Sequence, residues 1–578
     1  MRSPPWQIAR AGELVLLARG LVLLLSLLAL GAAAAPLAGR QLSIHPAVRL
    51  VVDDRGDLHF EVRAAGGDGW SHLAGRFARS RDDWPALKAL NGNGQPVRGR
   101  FYRIPYALLR DEYRLLGIAA LFPDDLLNGE GWHHHVGSAR LPIEEESLFR
   151  LALWFTGDGE NFRDLLAANR LKDPSLQAGQ EILIPTALLA PPFRPAAGAG
   201  AGPLEYGRDE EGEYASYSLR RGEALYSAVV ARFTGRVDPD DMDEMVEHIA
   251  RRSGIEDVTD IPAGFMVKIP VEDLADEFLP PTDPRRVRLE MDQLLAARYQ
   301  TSIRSRDLAG ITVILDPGHG GKDIGTRANG VWEDDTVYDI AVRLRQKLTQ
   351  RTSARVVMTV EDLSQKDRPH DGPFTRIDRD EDVLTHPRHR ATDSASVDVG
   401  VNLRTFLANS VYRSQRQAGR DDEEIVFISL HADALHPSVR GAMVYVPGER
   451  FRRGRYGASG KVYRRYSEVR EKPYVTFSRS ERLRSEGLSR KFAENILESF
   501  RNHDLAIHAD KPIRDHVVRK GRSWIPAVIR GNQVPTKVLL EVANIGNARD
   551  ARLLKSHEHR DQVAEALLAA ILSYYRGR

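Results

Sequence analysis

The chain has no cysteine, which excludes disulfides, thiolate metal sites, a cysteine nucleophile and lipid attachment at a cysteine. Any metal must therefore sit on His, Asp or Glu. Net charge is equally scarce. The 82 Lys+Arg stand against 80 Asp+Glu, a formal +2, which argues against a strongly basic nucleic-acid binder, and no nucleic acid is expected as a partner. The arginine bias, 69 Arg to 13 Lys, reads as genome composition. Beyond the first 40 residues no segment resembles a membrane span. What is present is ordinary for globular chains: 42% hydrophobic and 28% charged residues. At ~100–200 residues per domain, 578 residues imply three to five domains.

The N-terminus carries an address. Arg2 and Arg10 precede an apolar run from Leu14 to Ala38, and Ala32 to Ala35 supply small residues of the kind a signal peptidase cleaves beside. An export signal is the first reading and an uncleaved anchor the second. Both place the remaining chain outside the cytoplasm, in the periplasm or cell envelope.

A repeat runs through the first half. Trp70, Leu73 and Phe77 recur as Leu148, Leu151 and Phe155, and again as Tyr226, Val229 and Phe233, each step being 78 residues. Each unit closes on the same pattern: Ile104-Pro105, Ile184-Pro185 and Ile269-Pro270, followed by Leu109, Leu189 and Leu274. Each reads as a short helix, a loop, a second helix and a terminal strand. In the middle unit Leu148, Leu151, Ala152 and Phe155 share one helix face, and Glu181–Ile184 is the strand that Pro185 ends. The stretch NFRDLLAANRLKDPSLQAGQEILIP in this unit resembles a LysM domain. The outer units resemble it less, and the third holds an Asp-rich insertion at 238–243. The resemblance implies binding to N-acetylglucosamine-containing glycans, as in peptidoglycan or chitin. His133, His134 and His135 are read without a metal role, because sequence neighbours on an extended chain point to opposite sides.

From Gly310 strands alternate with long helices, the pattern of an α/β sheet. The buried-type strand Ile311–Leu315 ends in Asp316-Pro317-Gly318-His319-Gly320-Gly321, which puts His319 at the strand's C-terminal edge, where open α/β sheets bind ligands. Glu333 opens a helix with Val337, Ile340, Ala341, Leu344 and Leu348 on its apolar face. A second strand, Ile425–Leu430, delivers His431, followed by Asp433. Two imidazoles and a carboxylate at element ends can meet at one sheet edge, a His2Glu set that suits zinc and leaves a fourth position open.

DPGHGG, Glu333, SLHAD and LLEVANIGN occur in the order found in zinc-dependent N-acetylmuramoyl-L-alanine amidases, which the chain resembles from about Gly310 to Arg578. The resemblance implies zinc on His319, Glu333 and His431, and a catalytic Glu541 presented by the strand Lys537–Leu540. It further implies hydrolysis of the amide between N-acetylmuramic acid and L-alanine in peptidoglycan stem peptides, in wall remodelling or daughter-cell separation. The glutamate would pass a proton from water to the departing amine. Asp433 stands where the family often has asparagine. Arg530 and Asn532, just before the Glu541 strand, are substrate-binding candidates. Two regions exceed the family pattern: 361–397, read as a solvated loop despite His386 and His389, and the arginine- and tyrosine-rich 447–484. In some family members an insertion covers the zinc until an activator protein displaces it.

The expected organisation is a signal peptide or anchor over 1–40 and LysM-like modules over 67–110, 146–190 and 214–275. A Pro/Ala/Gly linker covers 191–205, a linker helix 276–308 and a catalytic domain 309–578. The fold class is α/β: an open C-terminal sheet with helices on both faces, preceded by small α+β modules. The alternative function is a non-catalytic or partner-regulated peptidoglycan-binding scaffold with an amidase fold, against which the complete His319, Glu333, His431 and Glu541 set argues. A further alternative is a zinc hydrolase of related fold acting on a different amide.

Overall fold

The computed structural model describes residues 40–53, 57–92, 94–141, 146–194, 204–372, 374 and 379–577. The export signal or anchor falls on residues outside these, as does most of the 191–205 linker. Among the described residues no helix is long and apolar enough to cross a membrane. The chain forms two compact units, one from Met1–Asp125 and His133–Phe193, the other from Leu126–Trp132 and Arg194–Arg578.

In the first unit the strands Arg40–His45, Val48–Val52, Leu58–Arg63 and Phe101–Pro105 form an antiparallel sheet in that order. The helices Trp70–Phe77 and Trp84–Asn91 lie in sequence between its last two strands, burying Trp70, Leu73 and Phe77. A strand thus precedes the helix–helix–strand pattern seen in the sequence. The middle repeat is built alike, with Gly131–His135 ahead of the helices Leu148–Thr156 and Phe162–Ala168 and the strand Glu181–Pro185. His134 lies fully buried on its leading strand, its Nδ1 2.8 Å from Asp125 and its Nε2 3.7 Å from Glu146.

In the second unit, the strands Glu205–Asp209, Gly212–Ser218 and Met266–Pro270 pair antiparallel around the helix Pro239–Ser253. The Asp-rich stretch 238–243 is the start of that helix, where carboxylates complement the helix dipole. The larger sheet uses β1 (Thr312–Pro317), β2 (Arg355–Met358), β3 (Ile425–His431), β4 (Met443–Tyr445), β5 (Ile513–Arg514) and β6 (Thr536–Glu541). Their order is β2-β1-β3-β6-β4-β5, with β4 antiparallel to β6 and every other pair parallel.

Alternation along these strands sends side chains to opposite faces. Val313, Leu315, Val426, Ile428, Val538 and Leu540 share a core with the helices α1 (Glu333–Arg351), α3 (Arg479–Asn502) and α4 (His557–Arg576). Ile314, Phe427, Leu539, Met443 and Tyr445 share another with α2 (Ser394–Gln417) and with Val237, Met242 and Val246 of the third repeat. Helices therefore cover both faces, and the third repeat shares a core with the face that also carries His431 and Glu541. Each fully buried aliphatic or aromatic side chain contributes ~1.5–3 kcal/mol. The repeat is also tied by hydrogen bonds: His436 N–H to the Val237 carbonyl at 3.0 Å, Arg514 Nη1 to the Gly235 carbonyl at 2.7 Å, and Lys520 N–H to Asp241 at 2.7 Å.

Candidate metal centre

Three elements deliver two imidazoles and a carboxylate, a group that could hold a metal ion, to one point. β1 runs into the loop holding His319, whose backbone is left-handed at φ 65°. α1 starts at Glu333, and β3 ends at His431. The Nε2 of His319 lies 3.0 Å from Glu333 Oε1, and the Nδ1 of His431 lies 3.1 Å from the same oxygen and 3.2 Å from His319 Nε2. One ligand atom from each residue falls within 4.8 Å of the other two. Glu333 is oriented by its neighbours: the Thr326 N–H and hydroxyl each donate to Oε2 at 2.8 Å, and the Ala432 N–H donates to Oε1 at 3.1 Å. Gly325 is required here, since a Cβ would lie 2.5 Å from Glu333 Oε2 and 2.7 Å from the His319 ring.

Glu541 ends β6 as the register partner of His431. It is buried, and its Oε2 accepts the Asp433 N–H at 2.8 Å. Burial, followed by the neighbouring carboxylates of Asp433 and Glu333, pushes the Glu541 carboxyl well above its ordinary range. Burial and Glu333 raise Asp433 as well. Burial opposes charge on His319, yet Glu333 and Asp323, whose Oδ1 lies 3.1 Å from His319 Nδ1, hold its imidazole well above the usual value. Four carboxylates crowd two imidazoles, and among the described residues His431 Nε2 is buried without a hydrogen-bond partner. This donor set suits a divalent cation of intermediate softness, and such a charge would relieve the crowding.

The 361–397 region is not the solvated loop expected from the sequence. Its strand Asp382–Val383 pairs with Val360–Glu361, and Glu381 and His389 are buried. The backbone folds back on itself through reciprocal Val383–His389 hydrogen bonds, which draw the ring inward. A narrow cleft is lined on one side by His319 and Asp323 and on the other by Glu381, Val383 and His389, with Gly400 and Arg404. The imidazoles keep side-chain exposures of 22% and 15%, so the site opens to solvent. At the same helix start, Asp335, Asp362 and Glu381 gather a second group of buried carboxylate oxygens within 4.8 Å. Burial, then Glu381, pushes the adjacent Asp334 up to about 7.

The two substrate candidates are not brought to the metal centre. Asn532 is fully buried, and its carboxamide is spent on the Val528 carbonyl and the Val534 N–H, turning the chain into β6. Arg530 lines a separate cleft with Asn402, Thr405, Asn409 and Tyr456. Sequence reasoning missed Thr326, Asp323 and Glu381. The first two lie within the glycine-rich loop region that marked the site, whereas Glu381 follows His319 by more than sixty residues and carries no local signal.

Comparison with known proteins adds a match at the level of sequence. A family model described as N-acetylmuramoyl-L-alanine amidase matches residues 313–573, and a LysM domain model matches residues 143–185, the middle repeat. An uncharacterized cell wall amidase of Bacillus anthracis is 26% identical over 287 residues, covering 50% of this chain and 39% of the relative. The germination-specific N-acetylmuramoyl-L-alanine amidase of Bacillus subtilis is 24% identical, covering 47% and 82%. The amidase AmiC of Escherichia coli is 26% identical, covering 46% and 53%. The chain thus spans about two-fifths of the first of these relatives and about half of the third. The crystal structure of the amidase Ami1 from Mycobacterium smegmatis aligns with a TM-score of 0.28 at 19% identity, over 46% of this chain and 98% of that one. Residues 313–573 form a domain of the N-acetylmuramoyl-L-alanine amidase family, and residues 143–185 form a LysM domain.

Proposed function

We propose that the chain is an exported zinc amidase that hydrolyses the amide between N-acetylmuramic acid and L-alanine of peptidoglycan. The observation that carries this reading is the convergence of His319, Glu333 and His431, with Glu541 on the neighbouring strand in register with His431. His319, Glu333 and His431 would hold the zinc, which when bound polarises a carbonyl and makes water acidic near neutral pH. Glu541 has the position and burial of a proton carrier, taking a proton at its carboxylate and returning it to the departing amine. The Asp433 N–H bond to Oε2 leaves Oε1 as the oxygen for that exchange. The Thr326 and Ala432 bonds keep the Glu333 carboxylate from rotating out of the ligand set.

The LysM domain supports glycan binding, which would tether the enzyme to its insoluble substrate and raise the local concentration of scissile bonds. Export is read from the sequence of the first 40 residues, and wall-bound substrate fits it. Mass spectrometry of products tests the reaction. Intact stem peptides with a free L-alanine amino group, beside uncut glycan strands, are expected. Products cut within the stem peptide or the glycan would refute the assignment.

A further inference from the structure

His319 occupies a left-handed backbone conformation that a residue with a Cβ does not favour, so its neighbours must impose it. Before His319 the Gly318 N–H donates to the Leu430 carbonyl of β3 at 2.8 Å, after it the Gly320 N–H donates to the Asp323 carbonyl at 2.6 Å, and the next two anchors come from the 361–397 region. The Gly321 N–H donates to Glu381 Oε2 at 2.6 Å, and the Lys322 N–H donates to the Ala391 carbonyl at 2.8 Å. The apposition is close enough that a Cβ on Gly321 would stand 2.8 Å from that carbonyl.

This segment is in turn held by 447–484. His389 Nδ1 lies 2.8 Å from the Tyr466 hydroxyl, while its Nε2 lies 2.8 Å from the Ser396 carbonyl. The His386 N–H donates to Glu468 at 2.9 Å, and the Ser467 N–H donates to the His386 carbonyl at 2.8 Å. The two regions also share a small core of their own, in which Val360 and Val383 meet Leu403, Phe406, Tyr466 and Val469. Contacts therefore run without a break from Tyr466 through His389, Val383 and Glu381 to the loop of His319.

We infer that Glu381 is a positioning residue for His319, and that the two regions form one brace whose integrity sets the geometry of the metal centre. The inference rests on the reading of His319 as a metal ligand. A carboxylate accepting a backbone N–H is a strong, directional anchor. Groups that orient a metal ligand typically change metal affinity 10- to 100-fold when removed.

The test uses the full chain with Glu381→Ala, Glu381→Gln and Tyr466→Phe. Two quantities are read: zinc affinity by competition with a chelator, and amide hydrogen exchange of residues 316–324 in metal-free protein. Glu381→Ala should bind zinc at least about tenfold more weakly and exchange the loop roughly tenfold faster, with exchange in α3 unchanged. Glu381→Gln keeps an acceptor and should restore both. Tyr466→Phe, remote from the metal, should shift both in the same direction by a smaller factor. Unchanged affinity and exchange in Glu381→Ala would overturn the positioning role, and an unaffected Tyr466→Phe would overturn the brace. If wild type binds no zinc while the loop still responds to Glu381→Ala, positioning stands and the metal reading fails.

Discussion

Ser429 donates a 2.7 Å hydrogen bond to the carboxylate of Asp316, its register partner across β1 and β3, shortly before each strand delivers its histidine. The Thr359 hydroxyl donates to the other oxygen, and Arg404 lies 3.8 Å away. All three partners are buried with Asp316. Asp316→Ala would strand two hydroxyls and a guanidinium, so a loss of about 3 kcal/mol is expected in chemical denaturation. Ser429→Ala removes one bond of the set and should cost only about 1 kcal/mol.

The first unit should lose stability at alkaline pH. Burial acts to lower the His134 value, but hydrogen bonds and charges from Asp125 and Glu146 outweigh it and push the imidazole from 6.5 up to about 9. A folded value above the unfolded one means the stabilisation is complete below about pH 6.5 and is lost as pH rises through about 9. The ceiling is on the order of 3 kcal/mol. Calorimetry of the full chain should show one transition falling in temperature across this window, with His134→Gln removing the dependence.

The third repeat should prove inseparable from the catalytic sheet. Without it, Leu435, Val439, Met443 and Tyr445, all now buried, would lose the core they share with Val237 and Met242. A chain beginning at Gly310 should aggregate or melt roughly 10 °C or more below one beginning at Leu204. Equal melting temperatures would mark the repeat as a merely tethered module.

The site was legible in the sequence where its residues end strongly patterned elements. Buried β-branched runs stop at His319 and His431, and helical periodicity begins at Glu333. Glu541 follows Lys537–Leu540, which the family resemblance rather than periodicity marked as a strand. Other features carried no such mark. Asn532 looked like a free polar loop residue because a sequence does not show that its amide is consumed in turning the chain. Glu381 reaches Gly321 across a segment without periodicity. The Asp-rich stretch 238–243 was read as an insertion because its acids mask a helix start. The 78-residue period recorded which side chains are apolar but not what covers them, so the core shared by the third repeat and the catalytic sheet emerged only from the structure.

Metal content and turnover, measured together on wild type and Glu541→Gln, test the site most directly. Wild type should carry one zinc, lose peptide release on chelation and regain it when zinc is restored. Glu541→Gln should keep the zinc and the melting temperature while losing at least about a hundredfold in turnover, the usual scale for removing a general base. A variant that releases stem peptides at the wild-type rate, or a wild type that does so free of metal, would contradict the roles given to Glu541 and to the His319, Glu333 and His431 set.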